Sequence, residues 1–309
     1  MNFNKNLMNS YETFLNANFE LNEGLTICTT NHIIYYQLPS VERVSQISGG
    51  PYIHGITFGG VIAGVTDSCN QPYTSNSLCF YEQHSGQFIK SLNFSSKILG
   101  LVATQTHIFI SLYDVIKVLD ARNHQIVGTI DRLFSGNALA VSCHYVAWAD
   151  EIHTGYIYLA SVPDFSLIRQ IKCHENPIQC ISFSQELNLI FTASQKGTII
   201  RSYGLERGET LNEYRRGFMD GKIICIDSLN GLICACSPST IHVFYGNNIH
   251  LTISPNGIPV CCKLLVKKLF VITNQGLFSE YSIDIDSKSI SFKNQIPLFP
   301  TNQPKKTTV

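Results

Sequence analysis

The chain has 309 residues, and its 22 Lys and Arg residues are balanced by 22 Asp and Glu residues. A formal net charge of zero excludes an overall basic field for nucleic acid, so any anion site must be a local pocket. Apolar residues make up 44% of the sequence, which excludes a largely disordered chain. Charged residues make up only 14%, and a surface that depends on Ser, Thr, Asn and Gln favours an all-β protein.

One six-residue segment recurs seven times along the chain. The copies are IIYYQL at 33, LCFYEQ at 78, VIKVLD at 115, YIYLAS at 156, IIRSYG at 199, IHVFYG at 241 and LFSEYS at 277. Their starting points lie 36 to 45 residues apart, a spacing typical of propeller blades with four strands each. We therefore predict one all-β, seven-bladed, WD40-like β-propeller over 1–300, followed by a polar tail over 301–309.

The eleven cysteines include no CxxC pair, so their spacing predicts neither a zinc site nor any other metal site. Cys234, Cys236, Cys261 and Cys262 fit small buried apolar side chains better. The odd count and the lack of an apolar stretch in the first residues lead us to expect a reducing cytosol. The sequence contains no nucleotide-binding loop or other cofactor motif, so we expect neither a cofactor nor an enzymatic activity.

Three basic or titratable residues interrupt the repeats, all in the fifth and sixth blades. Arg201 aligns with Tyr35, Phe80, Lys117, Tyr158, Val243 and Ser279, and His242 aligns mostly with isoleucines. Arg215 aligns with Ile47, Leu92, Ile130 and Ile171 of other fourth strands. One such break would indicate a solvated hairpin end, where long arginine stems cover apolar surface. Three breaks in neighbouring blades favour a binding site.

Arg215 and Arg216 are adjacent on a predicted outer strand, so their side chains should point to opposite faces of the blade. Each guanidinium group can bind a phosphate through two parallel hydrogen bonds. Hydroxyl groups lie nearby in sequence at Ser194, Thr198, Ser237 and Thr240. This combination suits a polyphosphorylated small head group.

These residues resemble the signature of the PROPPINs, the seven-bladed propellers of the fungal autophagy proteins and the animal WIPI proteins. The resemblance lies in SQKGTIIR at 194–201 followed by YRRG at 214–217, where Tyr214 replaces the Phe or Leu of the family motif. Residues 173–245 are similar throughout, and the seven-blade layout extends the likeness over most of the chain.

The resemblance implies binding of phosphatidylinositol 3-phosphate and 3,5-bisphosphate through two pockets at the rim. The first pocket would use His174, Ser194, Thr198, Arg201 and Arg215. The second pocket would use Arg216, Ser237, Thr240 and His242, with Ser239 as an alternative to Ser237. Family members usually insert a long loop of blade six into the bilayer. Here that connection is only Gly246-Asn247-Asn248, and Phe218 with Met219 is an alternative insertion point.

We accordingly expect a monomeric peripheral membrane scaffold that is not an enzyme. Its partners would be phosphoinositide membranes and autophagy proteins such as a lipid-transfer protein, without nucleic acid. Its place would be the cytoplasmic face of phagophore, endosome, lysosome or vacuole membranes. The alternatives are a WD-type scaffold that binds an acidic peptide, and a propeller enzyme with a catalytic cluster at the central channel.

Overall fold

The computed structural model describes residues 12–20, 24–66, 75–131, 138–149, 152–162, 164–184, 186–246 and 248–299. These residues form 28 strands and no helix, so the described ranges hold no helix that could cross a membrane. The predicted tail over 301–309 lies outside the described residues. The prediction of an all-β chain is confirmed.

The strands form seven four-stranded antiparallel sheets, each built from four consecutive strands. The first four blades contain β1 (Phe14–Phe19), β2 (Gly24–Thr29), β3 (His32–Gln37), β4 (Glu42–Ser48), β5 (Tyr52–Phe58), β6 (Val61–Thr66), β7 (Ser77–Glu82), β8 (Phe88–Asn93), β9 (Gly100–Ala103), β10 (His107–Ser111), β11 (Val115–Asp120), β12 (Ile126–Asp131), β13 (Leu139–Val141), β14 (Tyr145–Trp148), β15 (Tyr156–Ser161) and β16 (Leu167–Lys172).

The last three blades contain β17 (Ile178–Phe183), β18 (Leu189–Ser194), β19 (Ile199–Gly204), β20 (Thr210–Arg215), β21 (Cys225–Leu229), β22 (Leu232–Cys236), β23 (Ile241–Tyr245), β24 (Ile249–Ile253), β25 (Pro259–Leu265), β26 (Lys268–Thr273), β27 (Leu277–Asp284) and β28 (Ser289–Pro297). All seven recurring segments coincide with the third strand of a blade. The blade count and the seven-bladed propeller are therefore confirmed.

The core consists of seven apolar clusters, and each cluster joins two consecutive blades around the ring. Ile200 and Phe244, for example, belong to the cluster between blades five and six. The cluster between blades seven and one contains Tyr36 and Phe278, and the Tyr36 hydroxyl donates a hydrogen bond to the Leu298 carbonyl. Because the described residues exchange no strand between these two sheets, the ring is closed by side-chain packing in this part of the chain.

Candidate functional site

The two adjacent arginines lie at the end of β20, at the outer edge of blade five. Arg215 pairs with Ile199 of β19, and its side chain is exposed, with the guanidinium carbon 5.5 Å from the centre of the Phe218 ring. The backbone N–H of Arg216 donates to the Thr198 carbonyl at 2.9 Å. Because successive strand residues point to opposite faces, the two guanidinium groups lie on different sides of the blade.

The register of β20 corrects the position that we assigned to Arg215 in the repeat. A β-bulge follows the same point of the third strand in blades three, four and five, and it fixes how the blades align. Arg215 then corresponds to Asp131 and Lys172, which are polar. Tyr214, rather than Arg215, occupies the apolar position of Ile130 and Ile171. Arg215 therefore does not replace an apolar residue.

Arg201 lies on the face of blade five that meets blade four. Its Nε atom donates to Oε1 of Glu213 at 2.6 Å, and its Nη1 atom donates to the Cys173 carbonyl at 2.6 Å. The Tyr203 hydroxyl donates to the same carbonyl at 2.9 Å. Arg215 lies two residues beyond Glu213 on β20, so Arg201 and Arg215 share this face. The strands thus bring two cations and one carboxylate together.

His174 lies buried beside this group, in the connection between blades four and five. Its Nε2 atom lies 2.9 Å from the hydroxyl of Thr192, a residue directly opposite Arg201 in the sheet. Burial, together with the nearby Arg201 cation, lowers the pKa of His174 to about 4. The imidazole is therefore neutral at physiological pH.

The two hydroxyl residues assigned to the first pocket flank the turn between β18 and β19. Ser194 ends β18 and is buried, and its carbonyl accepts a hydrogen bond from the N–H of Gly197 at 2.9 Å. Thr198 is half-buried at the other end of the turn. Ser194 follows Thr192 by two residues and so points to the same face. The sequence pattern does not identify Thr192 and Glu213. Both residues lie directly opposite Arg201 in the sheet, and this pairing is what would identify them.

Arg216 lies on the other face, toward blade six. Its Nε atom donates to the Gly197 carbonyl at 2.7 Å, and its Nη2 atom donates to the Met219 carbonyl. Gly221 packs directly on the guanidinium group, because a Cβ atom at this residue would lie 2.6 Å from Nη2. Arg216 therefore links the turn before β19 to the loop after β20.

The remaining second-pocket residues form a connected hydrogen-bond network in blade six. The Ser237 and Thr240 hydroxyl groups are 2.7 Å apart, and the Thr240 hydroxyl is 2.8 Å from Nε2 of His242. On its other side, Nδ1 of His242 is 2.8 Å from Nε2 of His250. Ser239, the alternative to Ser237, is exposed on the turn. The sequence pattern does not identify His250, because this residue lies on β24, outside the motif residues 194–201 and 214–217.

The electrostatic environment of His242 connects it to the arginine pair. Burial, His250 and the Arg216 cation, in that order, lower the pKa of His242 to about 4. Arg216 and His242 are thus close enough to interact across the junction of blades five and six. The structure accordingly places His174 and Arg201 at one blade junction, and His242 and Arg216 at the next.

The blade-six connection is as short as the sequence predicts. Tyr245 ends β23 and pairs with Ile249, the first residue of β24, which leaves only three residues between the strands. Gly246 has a φ of 55°, the left-handed conformation that suits a tight turn. Asn247 itself lies outside the described residues.

Cysteines from different strands meet at the junction of blades six and seven. The sulfur atoms of Cys225, Cys236 and Cys262 all lie within 4.8 Å of one another, and that of Cys234 is 3.9 Å from Cys236. Hydrogen bonds from the neighbouring thiols lower the pKa of Cys262. Cys234, Cys236 and Cys262 are buried in the apolar cluster between these blades, as predicted, whereas Cys261 is only half-buried and packs against the cluster between blades seven and one. Spacing in the sequence did not reveal the cluster because three strands contribute to it.

The PROPPIN family model matches residues 16–287, which is most of the chain. The chain belongs to the PROPPIN family. Human WD repeat domain phosphoinositide-interacting protein 1 is 26% identical to this PROPPIN over 246 residues, which cover 73% of this chain and 54% of the relative. Autophagy-related protein 21 of Schizosaccharomyces pombe is 33% identical over 156 residues, which cover 49% of this chain and 46% of the relative.

Solved structures show the same propeller. Hsv2 of Kluyveromyces marxianus superposes with a TM-score of 0.80 at 18% identity, covering 94% of this PROPPIN and all of that chain. A complex of KlAtg21 with the coiled coil of AgAtg16 gives a TM-score of 0.78 at 17% identity, covering 92% and 99% of the two chains. This PROPPIN spans less than two thirds of the length of most of the curated relatives that it matches.

Proposed function

We propose that this PROPPIN binds phosphatidylinositol 3-phosphate, phosphatidylinositol 3,5-bisphosphate or both, through the first and second pockets that flank Arg215 and Arg216. The observation that carries the proposal is that the two arginines point to opposite faces of blade five, toward two blade junctions that each contain a histidine and hydroxyl groups. A guanidinium group can grip a phosphate with two hydrogen bonds, and two pockets on one rim suit two lipid head groups of one membrane.

Two moderate sites then act together, because the second contact becomes intramolecular once the first is made. The name of the human relative, a phosphoinositide-interacting protein, supports this ligand class. No covalent step is required of the site, since its groups bind and orient phosphate. The proposed role is therefore that of a scaffold rather than an enzyme.

We extend the proposal to autophagosome formation or endolysosomal traffic on phagophore, endosome, lysosome or vacuole membranes. The autophagy-related names of the relatives support this setting. The coiled coil bound by KlAtg21 supports an autophagy protein as a partner, and a lipid-transfer protein is a second candidate. A monomer is the proposed membrane-binding unit.

Flotation with liposomes that each contain one phosphoinositide tests the ligand. We expect the protein to float with the 3-phosphate and 3,5-bisphosphate liposomes and to remain below with phosphatidylserine liposomes of equal surface charge. An acidic peptide is added as a competitor to distinguish the WD-type alternative. Equal flotation on all anionic liposomes, or stronger binding of the peptide, would contradict the proposal.

A further inference from the structure

Phe218 and Met219 are the most exposed large apolar side chains among the described residues. Their exposed fractions are 88% and 81%, and the next value is 71% at Val266. The two residues are consecutive and lie on the insertion loop, the name used here for residues 217–221 between Arg216 and blade six. Two neighbouring apolar side chains in water indicate a surface that contacts another apolar phase.

The base of the insertion loop is fixed to the propeller. The Arg216 side chain donates to the Met219 carbonyl, and the N–H of Gly221 donates to the Lys196 carbonyl at 2.9 Å. Gly197 has a φ of 63°, and a Cβ atom there would lie 2.0 Å from the Gly221 carbonyl oxygen. The two backbone segments thus meet at a distance that only glycine allows at residue 197, so the loop is held while its apolar side chains project.

Cations surround the insertion loop. Lys196, Arg215 and Lys222 are exposed, and Arg216 is half-buried at the base of the loop. The nearest carboxylate on the loop is Asp220, which is 3.9 Å from the Lys196 amine. Exposed apolar side chains within a basic rim match an anionic bilayer, whose surface attracts Lys and Arg while its interior accepts apolar groups.

We propose that Phe218 and Met219 insert into the bilayer between the two phosphoinositide pockets. The inference rests on the proposed function, because the pockets must face the same membrane as the loop. The three-residue connection of blade six offers no such apolar projection, whereas the insertion loop directly follows the arginine pair. Transfer of the two side chains out of water then adds an apolar contribution that binding of the head groups alone does not provide.

The first test replaces both apolar side chains, in the variant F218S/M219S. We expect the affinity for phosphatidylinositol 3-phosphate liposomes to fall at least tenfold. Binding of soluble inositol 1,3-bisphosphate, measured by calorimetry, should stay within twofold of the wild type. The matched control is V266S/L167S, which removes two exposed apolar side chains from other blades, and its liposome binding should be unchanged.

The two assays separate the two proposals. If the wild type binds no soluble head group and no phosphoinositide liposome, the proposed function is wrong. If head-group binding is retained and F218S/M219S still binds liposomes like the wild type, the proposed function stands and membrane insertion is wrong. A loss of head-group affinity in F218S/M219S that equals its loss of liposome affinity would also overturn insertion.

A fluorescent reporter tests insertion directly. The chain has one tryptophan, Trp148, which is buried and stacked on Tyr158 with ring centres 5.5 Å apart. In the variant F218W/W148F the only tryptophan is therefore on the insertion loop. We expect a blue shift of its emission on phosphoinositide liposomes, and quenching by brominated acyl chains.

The single variant F218W, compared with the wild type, gives the same reading if W148F does not fold, because Trp148 is already shielded from water and lipid. Unchanged emission from position 218 on liposomes that the protein binds would overturn the proposal. Unchanged emission is the result expected if the loop binds a groove of a partner protein instead of the bilayer, because no partner is present in this assay.

Discussion

The two proposed pockets contain similar residues but differ in what their arginines already bind. In the proposed first pocket, Arg201 forms an ion pair with Glu213, so a bound phosphate would compete with a carboxylate of the protein. In the second pocket, Arg216 binds the carbonyls of Gly197 and Met219. Within the described ranges, Arg216 has no ion pair. The first pocket must therefore exchange one anion for another, whereas the second pocket has an uncompensated charge.

This difference has a consequence for affinity. A head group that enters the first pocket meets the negative field of Glu213, which opposes binding until the carboxylate turns away. A head group that enters the second pocket meets a cation oriented by neutral groups, and preorganised groups lower the cost of binding. We therefore expect the second pocket to be the stronger of the two.

The largest effect should come from removing both arginines, in the variant R215T/R216T. Charge-assisted hydrogen bonds contribute about 1.5–3 kcal/mol each, so the loss should be at least about a hundredfold in liposome affinity. The melting temperature should fall by no more than about 4 °C, because Arg215 is exposed and the half-buried Arg216 loses only its hydrogen bonds to the Gly197 and Met219 carbonyls. Flotation and thermal unfolding measure the two quantities.

The control for this experiment is R43T/R122T, which removes the same charge from exposed residues in blades one and three. It should retain binding. The single variants should bind in part, with R216T weaker than R215T. A single variant that abolishes binding would exclude two separate pockets, and an equal effect of the control would indicate net charge alone.

A smaller loss should follow from G221A. The added Cβ atom would lie 2.6 Å from Nη2 of Arg216, and the flexible guanidinium group can move away at little cost in stability. Because the charge is kept and only its position changes, we expect about a tenfold loss of affinity, as a displaced donor weakens its hydrogen bonds. G217A is the matched control, since a Cβ atom there meets nothing within 4 Å. Equal effects of both variants would refute the positioning of Arg216 by Gly221.

A gain is expected from E213Q. Removal of the carboxylate ends its competition with phosphate, while the Cys173 carbonyl still holds Arg201. Partly exposed ion pairs contribute about 0.2–1 kcal/mol, which corresponds to a gain of about 1.4- to fivefold in head-group affinity by calorimetry. E280Q is the control, because it removes a similar ion pair with Lys268 in blade seven. Weaker binding of E213Q would mean that Glu213 orients Arg201 for phosphate.

The smallest effect should be that of pH. The pKa of both His174 and His242 is about 4 in the free protein, below the ordinary value of about 6.5, and a bound phosphate favours the charged imidazole. Binding therefore raises the pKa, and affinity increases as the pH falls through the pKa of the bound state toward 4.

Protonation of the phosphate near pH 6 acts in the opposite direction, so the measured quantity is the ratio of wild type to H174A/H242A on the same liposomes. We expect this ratio to change little from pH 8 to pH 6, where burial keeps both imidazoles neutral, and to increase below pH 6. A ratio that stays constant down to pH 5 would show that neither histidine contributes to phosphate binding.

The blade architecture could be predicted from the sequence because each third strand is a short apolar run that recurs at the blade spacing. The position of Arg215 in the repeat could not be predicted, because it depends on which residue of β19 it pairs with, and the sequence does not show this register. Cross-strand neighbours of a motif, such as Glu213, become visible only when this register is known. The cysteine cluster depends on contacts between two blades, which no local pattern contains.

The side-chain seal between the first and last blades also determines how the chain folds. Each sheet joins strands that are neighbours in sequence, so its hydrogen bonds close short loops at low entropic cost. The junction between the first and last blades, here called the seam, brings together residues that are far apart in sequence. Tyr36 and Leu298, for example, are 262 positions apart. The blades can therefore form early and locally, while closure of the ring comes last. The seam should then be the first junction to open in native-state hydrogen exchange, ahead of the junctions that hold the two arginines.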